Sequence, residues 1–302
     1  MSGYTHIVLS AGGMKGLTYI GIYRYLKENK LINNVRHIIG CSCGSLFAYL
    51  YSLDLSVEYM EKLITDALSD DEIISYEVEG ITASYRNKGV FDIMKLKKLL
   101  VRAFKVKYKK NISKLSLQEF SKLTGKNLYL LVFNVNKYKD EIFSSINTPD
   151  IDVFDAVLAS MALPLLFKPI EINNQYYLDG GIVTTFPINY IKYSHTDKVL
   201  AIYLSKPGEV PHDKLKDPLT YLSQTLYCIT SSYTAESHLP RYKEKKNIDL
   251  MILDNIKITT LSFSFKNNRV CVYLPDNTCD NAICFGYNKT YEFFKKKSIG
   301  SS

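Results

Sequence analysis

The chain contains no tryptophan, and its 15 glycines and 9 prolines among 302 residues are too few for a collagen-like or low-complexity protein. No apolar run approaches the roughly 18–20 residues that a membrane span requires. The opening Met-Ser-Gly-Tyr-Thr-His lacks a basic region ahead of a long apolar stretch, so a cleaved secretion signal is not expected. The resulting reading is cytoplasmic, with peripheral association at membranes left open. The six cysteines (41, 43, 228, 271, 279 and 284) include no C-x-x-C pair, which argues against a disulfide framework and against structural zinc. The five histidines are scattered. No D-x-D-x-D-G loop is present, and Asp70-Asp71-Glu72 reads as a helix end or loop and not as a calcium cage. No metal and no cofactor are expected. Internal repeats and linker-like stretches are also missing, so residues 1–302 read as a single domain.

What is present is globular: 46% hydrophobic and 23% charged residues, ample for a core. The net charge of +8 is concentrated. Residues 95–110 hold Lys95, Lys97, Lys98, Arg102, Lys105, Lys107, Lys109 and Lys110 and no acid, which leaves the rest of the chain balanced. That is a local patch, unlike a uniformly basic nucleic-acid binder. Only Phe104 and Tyr108 interleave it as aromatics, so no nucleic-acid partner is expected. Within a predicted helix over 92–104, Ile93, Leu96, Leu99, Leu100 and Ala103 share one face and the lysines the other. That pattern suits a helix docking on anionic lipid through Lys95, Lys97, Lys98 and Arg102, with an ordinary solvated helix face as the plainer alternative.

Short apolar runs alternate with helical patterns. Strands are expected at 6–10, 35–39, 128–134, 141–145, 176–178, 198–205 and 248–253. Helices are expected at 17–29, 42–53, 57–69, 116–123, 152–163, 219–238 and 282–296. Ser116 and Glu119 form a capping box, with Gly125 as the stop. The alternation predicts an α/β protein, three-layer α/β/α with a mainly parallel central sheet.

Three glycine-rich turns lie between these elements. Gly40-Cys41-Ser42-Cys43-Gly44 is a G-x-S-x-G pentapeptide between a strand and a helix. In that context a sharp turn lifts the serine hydroxyl above the sheet and leaves N–H groups at a helix N-terminus. Ala11-Gly12-Gly13-Met14-Lys15-Gly16 follows a strand too. Its spacing fits neither a dinucleotide fingerprint nor a P-loop, which leaves an oxyanion hole built from the N–H groups of Gly12 and Gly13. Asp179-Gly180-Gly181 makes a tight loop able to hold a carboxylate rigidly, although Asp-Gly is also a common turn.

Together these motifs resemble the patatin-like phospholipases. Residues 11–16 are similar to that family's G-G-G-x-Lys/Arg-G loop, with Ala11 in place of the first glycine. Residues 40–44 resemble its nucleophile elbow, and residues 179–181 its Asp-Gly-Gly. A fourth stretch, Ala159-Ser160-Met161-Ala162-Leu163-Pro164, is similar to its A-S-x-A-x-P block. The resemblance covers about residues 7–190; beyond about residue 205 no motif is recognised. It implies a lipid acyl hydrolase of the phospholipase A or lysophospholipase type acting on phospholipid at a membrane surface. Ser42 would be the nucleophile and Asp179 the base of a Ser–Asp dyad. Gly40, Gly44, Gly180 and Gly181 would support the turns, and Lys15 would anchor the glycine loop. Cys41 and Cys43 read as small fillers or as reactive thiols, and Ser160 as helix packing near the site. Two rival readings stand: an α/β-hydrolase drawing its base from His195, His212 or His238, and a non-catalytic lipid-binding protein on the same fold.

Overall fold

The protein is described by a computed structural model, covering residues 3–69, 76–77, 93, 95–205, 221, 225, 235–256, 262–266, 269–273 and 277–299. Asp70-Asp71-Glu72, His212, Cys228 and most of the expected 219–238 helix lie outside these residues.

Five parallel strands form the centre: β1 (His6–Leu9), β2 (His37–Cys41), β4 (Asn127–Asn134), β8 (Val199–Leu204) and β9 (Ile248–Leu253), in the order β4-β2-β1-β8-β9. β1 and β8 are buried along their whole length, as apolar runs covered on both faces must be. Three further strands, β5 (Lys139–Ser144), β6 (Ile170–Ile172) and β7 (Gln175–Asp179), add an antiparallel flank, so the eight-stranded sheet is mixed around a parallel core. The β6–β7 hairpin turns through Asn173 and Asn174, both at positive φ (52° and 60°), as a two-residue turn demands. A separate antiparallel trio joins β3 (Tyr76–Glu77), β10 (Ser262–Lys266) and β11 (Arg269–Tyr273), none of which the sequence reading anticipated.

The two faces of the sheet are covered unequally. Ile7, Leu9, Ile38, Leu200 and Ile202 belong to the larger core. It is shared with α1 (Thr18–Glu28), α2 (Cys43–Ser52), α3 (Val57–Ser69), α4 (Lys95–Tyr108), α5 (Leu117–Thr124), α6 (Val153–Met161) and α8 (Thr278–Ile299). Val8, Ile39, Val199, Ala201 and Tyr203 face a thinner layer made by residues 186–191 and α7 (Ala235–Lys243). Helices α1 and α8 cross so closely that a Cβ on Gly21 would strike the Ile283 carbonyl, and one on Gly286 the Thr18 carbonyl.

Helix α5 has its capping box, with Ser116 Oγ accepting from Glu119 N at 3.2 Å and Gly125 at φ 67°. Helix α4 bears on the docking expectation through its apolar stripe and its lysines. Its apolar stripe is not available to lipid: Leu99 and Leu100 are 5% and 1% exposed and belong to the larger core, and Tyr49 donates to the Leu100 carbonyl at 2.8 Å. Lys97 is committed to Asp155 at 2.5 Å and Asp152 at 3.7 Å, and Arg102 to Asp66 at 3.5 Å. The physical reason is competition for burial. A stripe opposite charges stabilises any helix covering a core as well as one lying on a membrane, and here α2 and α6 supply the core.

Candidate active site

Strand β4 builds the site by offering one edge to two strands. Its residues 129–134 pair with β5 on one side. On the other side residues 127–131 carry β2, parallel, and residues 132–134 carry β7, antiparallel. Strands β2 and β7 therefore approach head to head, with Cys41 opposite Leu131 and Asp179 opposite Val132, on consecutive rungs. The residues that end these strands are drawn together although 137 positions separate Ser42 from Asp179 in the sequence.

Ser42 stands between β2 and α2 at φ 55° and ψ −127°, a conformation a non-glycine residue adopts only under local constraint. The constraint is packing. A Cβ on Gly44 would lie 2.5 Å from the Leu9 carbonyl oxygen and 2.6 Å from that of Ser10, so α2 enters hard against the end of β1. Gly40 is pressed likewise against Gly44, and Gly16 against Cys43, which brings the first glycine-rich turn alongside the elbow.

Ser160, expected only to pack, does more. Its buried hydroxyl accepts the Ser42 backbone N–H at 3.3 Å, donates to the Leu131 carbonyl at 2.6 Å and lies 2.7 Å from Ser45 Oγ. The Ala-Ser-Met-Ala stretch was visible in the sequence, but nothing in it assigned the hydroxyl to the elbow.

Asp179 is 1% exposed. Its N–H donates to the Ala162 carbonyl at 2.9 Å, and its Oδ1 accepts the Gly181 N–H at 2.7 Å, while Gly180 packs against the Leu131 carbonyl. Burial raises the carboxyl, and hydrogen bonds from the Ser42 side chain, the Gly181 N–H and the Cys41 thiol oppose it, leaving it pushed up to about 6. The elbow thiols are held protonated: burial drives Cys41 upward, and Cys43 to about 12. Neither is an activated nucleophile.

The glycine loop folds as a 3₁₀ turn over Gly13–Leu17, and α1 follows from Thr18, one residue after the expected start at 17. Lys15 N–H closes onto the Gly12 carbonyl at 3.1 Å, so the turn's own hydrogen bonding leaves out the N–H groups of Gly13 and Met14. The Met14 N–H, which the sequence reading did not name, is therefore left beside that of Gly13, which it did. Lys15 is buried and donates through Nζ to the Ser205 carbonyl at 2.5 Å, tying the loop to the end of β8. Ala11 keeps an ordinary negative φ, so its replacement of a glycine carries no strain.

Among the described side chains, the histidines lie elsewhere. His195 precedes β8, whose first residue is in register with the start of β1, so it lies at the opposite end of the sheet from Ser42. Five strand residues at about 3.3 Å each put roughly 16 Å between those levels. His6 and His37 stack at 4.5 Å at that same remote end. The His238 side chain lies outside the described residues.

Among the described residues no group of three or more His, Cys, Asp or Glu converges to hold a metal, and no helix is long and apolar enough to cross a membrane. The site thus combines a hydroxyl on a strained turn, a buried carboxylate of raised basicity and N–H donors from two turns. These are the parts needed to deliver an alkoxide to a carbonyl and hold the resulting oxyanion.

The family model described as patatin-like phospholipase matches residues 7–191. A probable lipid hydrolase (463L) of Invertebrate iridescent virus 6 is 32% identical over 195 residues, covering 63% of this chain and 64% of that one, so the match spans less than two thirds of that relative. A lysophospholipase of Phaeosphaeria nodorum (NTE1) is 26% identical over 71% of this chain but only 13% of its own length. Among solved structures, VipD from Legionella pneumophila superposes with a TM-score of 0.55 at 18% identity, covering 98% of this chain and 67% of that one, a likeness of fold.

Proposed function

The chain belongs to the patatin-like phospholipase family, a family of lipid ester hydrolases, and from that premise we propose that it cleaves carboxylic ester bonds of phospholipids or lysophospholipids through Ser42 and Asp179. The whole chain acts as one such domain, without cofactor. The observation that carries the reading is the meeting of the strained Ser42 turn with a buried Asp179 on consecutive rungs of β4, the carboxyl being pushed up to about 6 by its burial. An aspartate at its ordinary value near 3.9 is a poor base for an alkanol; burial makes this one a better match for the task.

In the proposed reaction Asp179 accepts the Ser42 hydroxyl proton as Oγ attacks the ester carbonyl carbon. The carbonyl oxygen becomes an oxyanion, which the Gly13 and Met14 N–H groups and the N-terminus of α2 stabilise. Collapse expels the alcohol, which takes the proton from Asp179 and leaves an acyl-Ser42. Water then repeats the sequence, with Asp179 as base, and releases the fatty acid. Ser160, by holding the Ser42 N–H, keeps the elbow in register through both halves.

The test is incubation with a mixed lipid panel, with released fatty acids read by mass spectrometry beside Ser42→Ala. Release that disappears in the variant supports the reading. Equal release from both proteins rejects Ser42 as nucleophile, and lipid binding without release by either favours the non-catalytic alternative.

A further inference from the structure

The strongest unassigned feature lies directly beside the candidate dyad. After α6 the chain runs Leu163-Pro164-Leu165-Leu166-Phe167, five apolar residues in succession, none of them buried. Four of the five are half-buried, Phe167 against the larger core, and Leu165 alone is exposed. Leu165 is the extreme case: it is 58% exposed and sits at φ 66°, a left-handed conformation that bulky side chains rarely adopt. Phe167 N–H closes the turn onto the Leu163 carbonyl at 2.9 Å, which fixes Leu165 at its apex. Asparagine or glycine would suit that backbone better and would be soluble. A leucine here therefore spends stability on an outward apolar side chain, and strain of this kind concentrates at functional positions.

The position of the turn indicates what it meets. The Ala162 carbonyl, one residue before the turn, accepts the Asp179 N–H at 2.9 Å, so the apolar run starts at the carboxylate's own backbone support. Lys168 follows directly, half-buried and without an ion pair to any described residue. An apolar apex ending in a lysine complements a lipid surface: acyl chains meet the leucines while the ammonium reaches the phosphate layer.

We propose that residues 163–168 form the lipid-docking rim of the candidate active site, with Leu165 inserting into the substrate aggregate and Lys168 contacting its phosphates. The proposal rests on the lipid-hydrolase reading for its partner. It moves docking from helix α4, whose apolar stripe is buried, to the mouth of the site, where a docked acyl ester would already adjoin Ser42 and Asp179.

The experiment separates docking from chemistry. Binding of the full chain carrying Ser42→Ala to phosphatidylcholine vesicles, and to vesicles containing an anionic phospholipid, is measured by co-sedimentation with and without Leu165→Asn. Hydrolysis by otherwise unaltered protein is followed on the same vesicles and on a soluble short-chain ester. Leu165→Asn, which suits the left-handed backbone, is expected to weaken vesicle binding and lower vesicle hydrolysis by about tenfold. Soluble-ester turnover should stay within about twofold, and Tm should be unchanged or higher. Lys168→Gln should weaken binding to both vesicle types, more strongly on the anionic one. Undiminished vesicle binding by Leu165→Asn overturns the proposal, as do equal losses on both esters, which would make the turn a support for Asp179. If the protein hydrolyses neither ester yet binds vesicles through Leu165, the docking rim stands and the hydrolase reading fails.

Discussion

Cys41 and Asp179 end two strands that meet head to head on one edge of β4, and Cys41 Sγ lies 3.9 Å from Asp179 Oδ1. The thiol also contacts the Thr184 carbonyl at 3.5 Å, so the residue before the candidate nucleophile and the carboxylate beside it are buried as one unit. That unit excludes water from one side of Asp179, and burial is the leading cause of its raised basicity.

The first prediction concerns that carboxylate. Asp179→Asn should lower kcat/KM on a soluble ester by about 10²–10⁴-fold, the usual cost of losing a general base. In unaltered protein, activity should rise with pH through about 6, where Asp179 ionises.

Stability should move the other way. The native carboxyl holds its proton more tightly than the unfolded one, so the folded state loses stability as pH climbs from near 4 to about 6. Asp179→Asn removes that loss. Thermal unfolding should therefore show the variant at least as stable as the parent above pH 6, with its relative advantage shrinking toward pH 4. A variant less stable at pH 7 than at pH 4, relative to the parent, would contradict the burial argument.

Ser160→Ala leaves the Ser42 N–H, the Leu131 carbonyl and Ser45 Oγ short of a partner in a buried place. A loss of about 1–3 kcal/mol in unfolding free energy is expected. Because the elbow itself loosens, kcat on a soluble ester should fall while KM changes little. Ser45→Ala, which does not touch the Ser42 N–H, should cost stability with less effect on kcat.

Gly44→Ala tests the packing that holds the elbow. Its Cβ would meet two backbone carbonyl oxygens that no rotamer can move away, so chemical denaturation should reveal a loss of several kcal/mol, or no folded protein. Wild-type stability in that variant would mean that the approach of α2 to β1 is looser than described.

Lys97→Gln addresses helix α4. The half-buried pairs with Asp155 and Asp152 make Lys97 a clamp between α4 and α6, so the expected result is a stability loss of about 1 kcal/mol with vesicle binding unchanged. Reduced vesicle binding at unchanged stability would restore the docking role first read from the lysine pattern.

Much of this molecule is legible along the chain because the relevant physics is local. The capping box at Ser116 and Glu119, the stop at Gly125 and the Asp179 Oδ1 contact with the Gly181 N–H depend on residues within four positions of one another. The same holds for the buried strands, whose unbroken apolar runs predict a parallel core. The Asn173-Asn174 hairpin was equally local, but two asparagines between three- and five-residue strands made too short a pattern to stand out.

The amino-acid sequence by itself determined the order of the strand–turn–helix units, the glycine turns that support candidate chemistry and the family to which they belong. Only the tertiary structure decided which of those parts meet. Asp179 reaches Ser42 because β4 is longer than β2 and has edge left over for β7. Ser160 serves the elbow because α6 packs across that junction. The leucines of α4 turn inward because α2 and α6 offer them a core. Each outcome is a choice among distant partners competing for the same buried surface, which no local pattern encodes, and it was the same competition that left Leu165 outside.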